Sequence, residues 1–305
     1  MTTVIKKPTT QADKSTDSAV TISRILGVFG EISKYVVLIP LAISFMFPIY
    51  WMFVSALKDD PQVFTVPPVL LPNPVFFENF IEAWNFLPFN TFAFNTIFRY
   101  VLPTTLITVV SCTVIAYGFA KIDWPYRDQV FYVVLLTMML PWAVKMVPLF
   151  LMFRDWNWLD TYFPWTVTAA FGTPYIIFLL RQFFRTIPNE ILDAARVDGA
   201  NELVILWRII FPLARPALVV VGLFRFMWAW NDYLGPRIFI RTQENFPLAL
   251  GIDLLQSRAN DVGACVRCLP YLMAVSFLVA LPIIIMFFFA QRTFIEGISL
   301  TGTKG

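Results

Sequence analysis

Histidine is absent from this 305-residue chain, and charged side chains are scarce. Without histidine the chain has no imidazole to ligate a metal, act as a general base or activate a serine or cysteine nucleophile. No G-x-x-x-x-G-K-[ST] segment occurs, so nothing in the sequence can cradle the phosphates of ATP. The net charge of +3 comes from cations scattered along the chain, which excludes a nucleic-acid-binding face. These absences argue against an enzyme and against a nucleic-acid partner.

Cysteine is also rare, with three residues. Cys112 lies in an apolar run, where interior packing explains it. Cys265 and Cys268 form C-V-R-C just before the last apolar segment, a spacing found in disulfides, redox sites and metal sites. Without a second pair of ligands, absence of function is favoured, and a local disulfide or a metal site stays open as an alternative. We predict neither a metal nor another cofactor bound to this chain.

Apolar residues are abundant: 58% of the chain is hydrophobic, 17% is aromatic and only 14% is charged. The mean hydropathy is +0.68. An average soluble domain carries roughly 25% charge, and a helix across a bilayer needs about 20 mainly apolar residues. No run alternates with the period of two that a membrane β-barrel requires. We therefore predict an all-α integral membrane protein with six transmembrane helices, at residues 34–56, 96–120, 129–151, 162–181, 214–235 and 269–290.

The lysines and arginines predict the orientation of these spans. With the N-terminus inside, cations in the inner segments outnumber those in the outer segments about two to one, as the positive-inside rule requires. Both termini are then cytoplasmic. The chain divides into an N-terminal tail at 1–33, partly disordered (1–18) or interfacial, a six-span domain at 34–290 and a C-terminal tail at 291–305.

The most informative segment lies between the fourth and fifth apolar runs. It is E-I-L-D-A-A-R-V-D-G-A-N-E-L-V-I-L-W-R-I-I-F-P, residues 190–212, and is called here the polar insert. Pro188 suits the first turn of a helix. Gly199 can take a positive φ and end that helix, and Asn201 can cap a second helix at 202–210. The pattern predicts a helix, a break and another helix on the cytoplasmic side.

The first helix of the insert carries apolar residues that are expected to share one stripe, namely Ile191, Leu192 and Ala195. Ala194 and Ala195 are small, so another backbone could approach them closely. One interpretation is a docking surface for a partner. The alternative is a pair of surface helices that merely cover the ends of the spans.

The pattern D-A-A-x3-G-x9-I-x-F-P resembles the coupling motif of binding-protein-dependent ABC importers, usually written E-A-A-x3-G-x9-I-x-L-P. Asp193 replaces glutamate and Phe211 replaces leucine. The flanking segments R-Q-F-F-R-T-I-P, W-N-D-Y-L and Q-R-T-F-I-E-G-I-S-L-T-G-T-K-G are similar to those of the smaller, maltose-type permease of carbohydrate importers. The resemblance covers about residues 50–300. The matching motif positions are Ala194, Ala195, Gly199, Ile209 and Pro212.

The resemblance implies the type I ABC importer permease (MetI-like) fold in a prokaryotic plasma (inner) membrane. A coupling helix at about 188–199 would contact a cytoplasmic ATPase dimer, which binds ATP and Mg in place of this chain. A second homologous permease, an extracytoplasmic solute-binding protein and membrane lipid complete the implied partners. The residues implied in ATPase coupling are Glu190, Asp193, Ala194, Ala195, Asp198 and Gly199.

Two cations lie inside predicted spans, Lys145 in the third and Arg225 in the fifth. A cation at membrane depth costs about 2.5–3.5 kcal/mol on insertion scales, so it should face an interior or a watery path. The family is expected to have small or hydroxyl residues at both places. With Trp228 and Asn231 they are candidates for lining the translocation pathway. The alternatives are pairing with acids of the partner permease, snorkelling and, for the aromatics, an interfacial belt; Asp232 is expected to hold a helix or gate.

The leading hypothesis is a non-catalytic permease subunit of an ATP-driven importer for a sugar or sugar derivative. Lys145 and Arg225 prompt a second version, uptake of an acidic or phosphorylated polyol or saccharide. A secondary transporter would show inverted repeats and broken half-helices. A membrane-embedded enzyme would need paired carboxylates within its spans. Neither pattern is clear in the sequence.

Overall fold

The computed structural model describes the backbone of residues 11–259 and 268–302 and the side chains of residues 34–258 and 268–291. Within these ranges every regular element is a helix, which confirms the all-α prediction. Two π-helical segments lie at Asn95–Val101 and Leu206–Ile210, and two 3₁₀ turns at Thr137–Met139 and Gln243–Asn245. The α-helices are α1 (Gln11–Ala56), α2 (Asp60–Val63), α3 (Glu78–Phe86), α4 (Phe89–Phe94), α5 (Leu102–Lys121), α6 (Arg127–Leu136), α7 (Trp142–Asp155), α8 (Phe163–Ala169), α9 (Pro174–Thr186), α10 (Asn189–Val197), α11 (Glu202–Ile205), α12 (Phe211–Leu213), α13 (Arg215–Trp230), α14 (Leu234–Phe239), α15 (Leu248–Ala259) and α16 (Cys268–Gly302).

Four segments are long and apolar enough to cross a membrane, and two bent pairs of helices raise the number to six if each pair is one span. Each candidate corresponds to one of the six predicted spans. The four candidates that need no bent pair are Lys34–Ala56, Phe89–Lys121, Phe163–Thr186, which contains α8 and α9, and Cys268–Gln291. The bent pairs are Arg127–Met139 with Trp142–Asp155, at 97°, and Glu202–Leu213 with Arg215–Trp230, at 82°.

The third span, predicted as one helix over 129–151, is broken at Pro141. Helix α6 passes into a 3₁₀ turn, Leu140 is extended, and Pro141 precedes the first residue of α7. Proline has no N–H for the helical ladder, and its ring collides with the carbonyl four residues earlier. The bend of 97° at this proline is large enough to divide the span into two helices.

The fifth span is shorter than its predicted range of 214–235. Helix α13 ends at Trp230, because the chain turns immediately afterwards: the Gly235 N–H donates to Asp232 Oδ1 at 3.1 Å. At its other end α13 meets the preceding helices at 82°. The apolar run alone could not indicate this end, because Tyr233 and Leu234 continue it.

Both π-helical segments end two residues before a proline. Asn95–Val101 precedes Pro103, and Leu206–Ile210 precedes Pro212. Each π-helical segment contains the residue four positions before the proline. In a regular α-helix the carbonyl of that residue would collide with the proline ring. The helix therefore continues through both prolines by widening one turn.

The chain divides into two compact units between Val54 and Ser55. In the first unit, α1 is already helical at Gln11, earlier than the composition of residues 1–18 predicts; residues 1–10 lie outside the described part. From Tyr35 to Phe53 most of its large apolar side chains are exposed, and Trp51 and Met52 are half-buried, as expected of a helix that faces lipid or another subunit. Cys268, at the start of α16, is disulfide-bonded, whereas Cys265 lies outside the described residues.

The second unit contains two apolar clusters, which pack around the long helix that ends in α5. The insert-side cluster includes Cys112, Ala116, Tyr117, Ile176, Leu180, Phe184, Leu192, Ile205 and Leu206. The far-side cluster includes Phe89, Phe92, Tyr100, Phe153, Trp165, Trp230, Phe239 and Leu250. Lipid is as apolar as these side chains, so close packing and hydrogen bonds between helices must hold the fold together.

Candidate functional site

The polar insert folds as the sequence predicts, into a helix, a glycine break and a second helix. Gly199 has a φ of +84°, and its N–H donates to the Arg196 carbonyl at 3.0 Å. The Ala200 N–H donates to the Ala195 carbonyl at 2.9 Å. These two bonds form a Schellman motif, which ends α10. The Asn201 side chain accepts a 2.9 Å hydrogen bond from the Val204 N–H, so the predicted cap of the second helix is confirmed.

The prediction of a single apolar stripe on α10 was wrong. Leu192 is buried in the insert-side cluster and Ala195 is half-buried beside it, whereas Ile191 is 43% exposed. Consecutive residues of a helix are separated by 100°, so Ile191 cannot share the direction of Leu192. The helix therefore has two apolar sides, one packed on the core and one exposed.

The exposed side of α10 contains a small apolar surface with acidic edges, called here the α10 face. Val197 is 87% exposed, and Ala194 lies between it and Ile191 on the same side. This spacing of three residues makes Ala194 a neighbour of both Ile191 and Val197. Glu190 and Asp198 lie beside them and are exposed. An apolar centre with charged edges is the usual composition of a protein–protein contact surface.

Asp193 and Gly199, also predicted in the contact set, have structural roles next to this face. Asp193 Oδ1 accepts a 2.8 Å ion-paired hydrogen bond from Arg196. Arg196 also donates to Glu202 Oε1 at 2.9 Å. The bond with Glu202 raises the pKa of the Arg196 guanidinium above its ordinary value. Arg196 thus bridges α10 to α11 across Gly199. Asp193 is long enough to pair with Arg196, although it is shorter than the glutamate that is usual at this position of the motif.

Two further ties, which the sequence did not indicate, hold the insert against the spans. The Tyr117 hydroxyl, near the end of α5, donates to Glu202. Lys121 Nζ donates at 2.6 Å both to the Ile187 carbonyl and to Asn189 Oδ1. With Leu192 in the core, these contacts fix both ends of α10 to the same span.

Asp232 holds three segments together on the far side, as the sequence predicted for it. Its carboxylate accepts hydrogen bonds from the Tyr100 hydroxyl, from Trp165 Nε1 at 3.1 Å and from the Gly235 N–H. A Cβ on Gly235 would lie only 2.7 Å from Asp232 Oδ2, so glycine is needed for this approach. The rings of Tyr100 and Trp165 pack 5.0 Å apart, which encloses the carboxylate in aromatic surroundings.

The four predicted pathway residues lie on α7 and on or directly after α13. Lys145 is half-buried on α7. Trp228 is 44% exposed and packs against the ring of Tyr175 at 5.7 Å. Asn231 is exposed and donates to the Met227 carbonyl at 2.8 Å, as a residue at the end of a helix commonly does. Arg225 is half-buried on α13.

The register of α13 against α5 assigns Arg225 to the level of two threonines. A Cβ on Gly222 would be 3.6 Å from Val109 Cγ2, and Asp232 accepts from Tyr100. Both pairs are consistent with α13 running antiparallel to the helix that contains Tyr100 and Val109. In this register Arg225 is level with the turn of α5 between Thr105 and Thr108. Among the described residues, Arg225 Nε and the hydroxyls of both threonines are buried without a hydrogen-bond partner. Buried polar groups normally find a partner, so this level is suited to a polar ligand.

Residues 110–298 match the family described as "Binding-protein-dependent transport system inner membrane component". This range begins in α5, contains the whole insert and ends in α16. It includes the Schellman turn at Gly199 and the Arg196 bridge. The matched part of the chain therefore includes all of the α10 face.

Proteins of known function are similar over nearly the whole chain. The sn-glycerol-3-phosphate transport system permease protein UgpE of Yersinia enterocolitica is 31% identical over 88% of this chain and 95% of its own length. The arabinooligosaccharides transport system permease protein AraQ of Bacillus subtilis is 32% identical over 87% of this chain and 92% of its own length. Among solved structures, a chain of "a bacterial ABC transporter involved in the import of the acidic polysaccharide alginate" aligns with a TM-score of 0.72 at 25% identity, over 94% of this chain and 99% of that one.

Proposed function

Because this chain belongs to the family of binding-protein-dependent inner membrane transport components, we propose that it forms half of the pathway through which an importer takes up a carbohydrate or carbohydrate derivative. As a permease of that family it is a non-catalytic, multi-pass protein of the bacterial inner membrane. It works with a separate ATPase and a solute-binding protein. Similarity to relatives named for glycerol 3-phosphate and arabinooligosaccharides supports the solute class.

In this proposal the α10 face is the contact with the ATPase. Ala194 provides the close approach, Ile191 and Val197 the apolar area, and Glu190 and Asp198 the polar edge. Asp193, Ala195 and Gly199 act indirectly, because they shape α10 and hold it in place. The observation that carries the proposal is that the helix with this exposed apolar face is held in place. Leu192, Lys121 and the Arg196 bridge fix α10 against a membrane span.

The rest of the arrangement follows from the same orientation. Both termini lie in the cytoplasm with the insert, and the tail at 291–305 reaches towards the ATPase interface. The ATPase is a dimer that binds ATP and Mg. The second half of the pathway is a homologous permease, and the exposed apolar side chains of α1 suit a contact with it or with lipid.

Copurification and transport together test this function. The tagged chain, expressed with the other subunits of its importer, should copurify with an ATPase, and ATP hydrolysis should rise at least tenfold when the solute-loaded binding protein is added. Proteoliposomes that contain the chain without the ATPase should show no uptake. Uptake by the chain alone, driven by an ion gradient, would contradict the proposal and indicate a secondary transporter.

A second version of the function, uptake of an acidic or phosphorylated solute, has a specific observation in its favour. The level of Arg225, Thr105 and Thr108 combines a cation with two hydroxyls that have no partner among the described residues. A guanidinium binds phosphate or carboxylate through two parallel hydrogen bonds. Relatives named for glycerol 3-phosphate and for alginate transport anionic solutes.

Replacing Arg225 with glutamine tests this version in the reconstituted importer. We expect uptake of an anionic solute to fall about 10–100-fold, since a hydrogen bond to a charged group contributes about 1.5–3 kcal/mol. Assembly and unstimulated ATP hydrolysis should stay unchanged, and Arg225→Lys should keep part of the uptake. Arg99→Gln removes an exposed cation from the same unit and is the control. Equal effects of Arg225→Gln on neutral and anionic solutes would exclude the anionic version.

A further inference from the structure

We propose that a cavity between α5, α6 and α9 binds the phosphate of an anionic phospholipid headgroup. The cavity has a volume of about 340 Å³. It opens beside the first two turns of α6, at the same end of the unit as the insert. Its lining includes Arg127, Asp128, Phe131, Tyr132, Arg181 and Arg185. The proposal depends on the membrane location of the chain and not on the identity of the transported solute.

The cavity carries an excess of positive charge. Three arginines and one aspartate line it. Arg181 is occupied: it donates to Asp128 Oδ1 at 2.6 Å and to the Phe119 carbonyl at 3.1 Å, and its guanidinium carbon lies 4.1 Å from the centre of the Phe131 ring. Arg181 therefore neutralises Asp128 and forms part of the cavity wall. Of the other two arginines, Arg127 shares its charge with Asp123, and the charge of Arg185 remains for a ligand.

Arg127 is only partly satisfied by its neighbours. Its NH1 pairs with Asp123 at 2.6 Å, outside the cavity lining. Its Nε is buried and has no hydrogen-bond partner among the described residues, since Asp128 Oδ1 is 3.7 Å away. Arg185 is exposed at the cavity edge. A phosphate that accepts from Arg127 Nε and from Arg185 would satisfy the buried donor, and Tyr132 could add a third bond.

The surroundings indicate that the phosphate belongs to a lipid. Trp124 and Tyr126 lie just before α6 and are 36% and 74% exposed, and such aromatics mark the headgroup level of a membrane. On α6, Tyr132, Val133 and Leu136 are 65%, 59% and 60% exposed. Acyl chains can lie along these residues while the headgroup enters the cavity. Basic pockets between membrane helices at this level bind the headgroups of anionic lipids.

Photocrosslinking within the assembled importer tests the site. The complex is placed in nanodiscs that contain phosphatidylethanolamine and a trace of phosphatidylglycerol with a photoreactive headgroup, and the crosslinked peptides are quantified by mass spectrometry. We expect labelling of the segment 122–136. Unlabelled phosphatidylglycerol should compete at least tenfold better than phosphatidylcholine. Arg127→Gln with Arg185→Gln should reduce labelling at least tenfold.

Two controls make the outcome decisive. Arg154→Gln removes an exposed arginine at the far end of α7, where it pairs with Asp155, and should leave labelling unchanged. If the double variant fails to assemble, Arg185→Gln alone should still reduce labelling severalfold. Competition by millimolar inorganic phosphate equal to that of the lipid would indicate a free-anion site and overturn the proposal. Absence of labelling in the complex would overturn it as well, because a protein subunit would then cover the cavity.

Discussion

Replacing Ala194 with tryptophan will uncouple this permease from its ATPase. Ala194 lies at the centre of the α10 face, between Ile191 and Val197, and its side chain points away from the core. A bulky ring at the point of closest approach forces the partner surface away. Overpacking costs about 1–3 kcal/mol in a protein interior, and about 1.4 kcal/mol is a tenfold change in affinity. We expect the ATPase to copurify about 10–100-fold less and solute-stimulated ATP hydrolysis to fall at least as much.

A matched pair of variants separates contact from folding. Ala194→Ser keeps the small volume and should retain ATPase association within about threefold. Ala195→Trp alters the neighbouring residue, which is half-buried beside Leu192, and should instead lower thermal stability of the isolated chain. If Ala194→Trp retained normal copurification and normal stimulated hydrolysis, the α10 face could not be the ATPase contact.

The insert was predictable from sequence because its signals are local. Gly199 is the residue that most readily adopts positive φ, and Asn201 caps the helix three residues before Val204. Both effects operate within one helical turn and need no tertiary structure. The third span illustrates the limit of such signals: a proline such as Pro141 favours a kink, but a bend of 97° depends on how α6 and α7 pack against other helices.

The contacts that make the insert rigid could not be read in the same way. Tyr117 and Glu202 are 85 residues apart, and Lys121 and Ile187 are 66 apart. Nothing in their local sequence indicates that they meet. The same is true of the direction of α10: Ile191 and Leu192 are equally apolar, and only the packing of Leu192 against the insert-side cluster decides which of them is exposed. The sequence therefore predicted the helices of the insert but not the contacts that hold them against α5.

Asp232 is the residue whose removal should most reduce the stability of the far side. Asp232→Ala leaves the Tyr100 hydroxyl, the Trp165 indole N–H and the Gly235 N–H without their acceptor. A buried donor without a partner costs about 1–3 kcal/mol, so the loss of the acceptor for all three donors costs about 3–9 kcal/mol. Proteins of this size are stable by only about 5–15 kcal/mol. We expect a large decrease in the temperature of thermal unfolding in detergent and little folded protein in the membrane.

Two further variants, Asn231→Ala and Asp232→Asn, distinguish the loss of this hydrogen-bond network from a general effect of mutation. Asn231→Ala removes one exposed hydrogen bond to the Met227 carbonyl and should change the unfolding temperature little. Asp232→Asn keeps one acceptor oxygen but directs an NH₂ group at existing donors, so its effect should lie between those of Asn231→Ala and Asp232→Ala. This order follows from the number of donors left without an acceptor. Equal stability of Asp232→Ala and Asn231→Ala would mean that Tyr100 and Trp165 find other acceptors and that the aromatic packing alone holds α13 against α5 and α8.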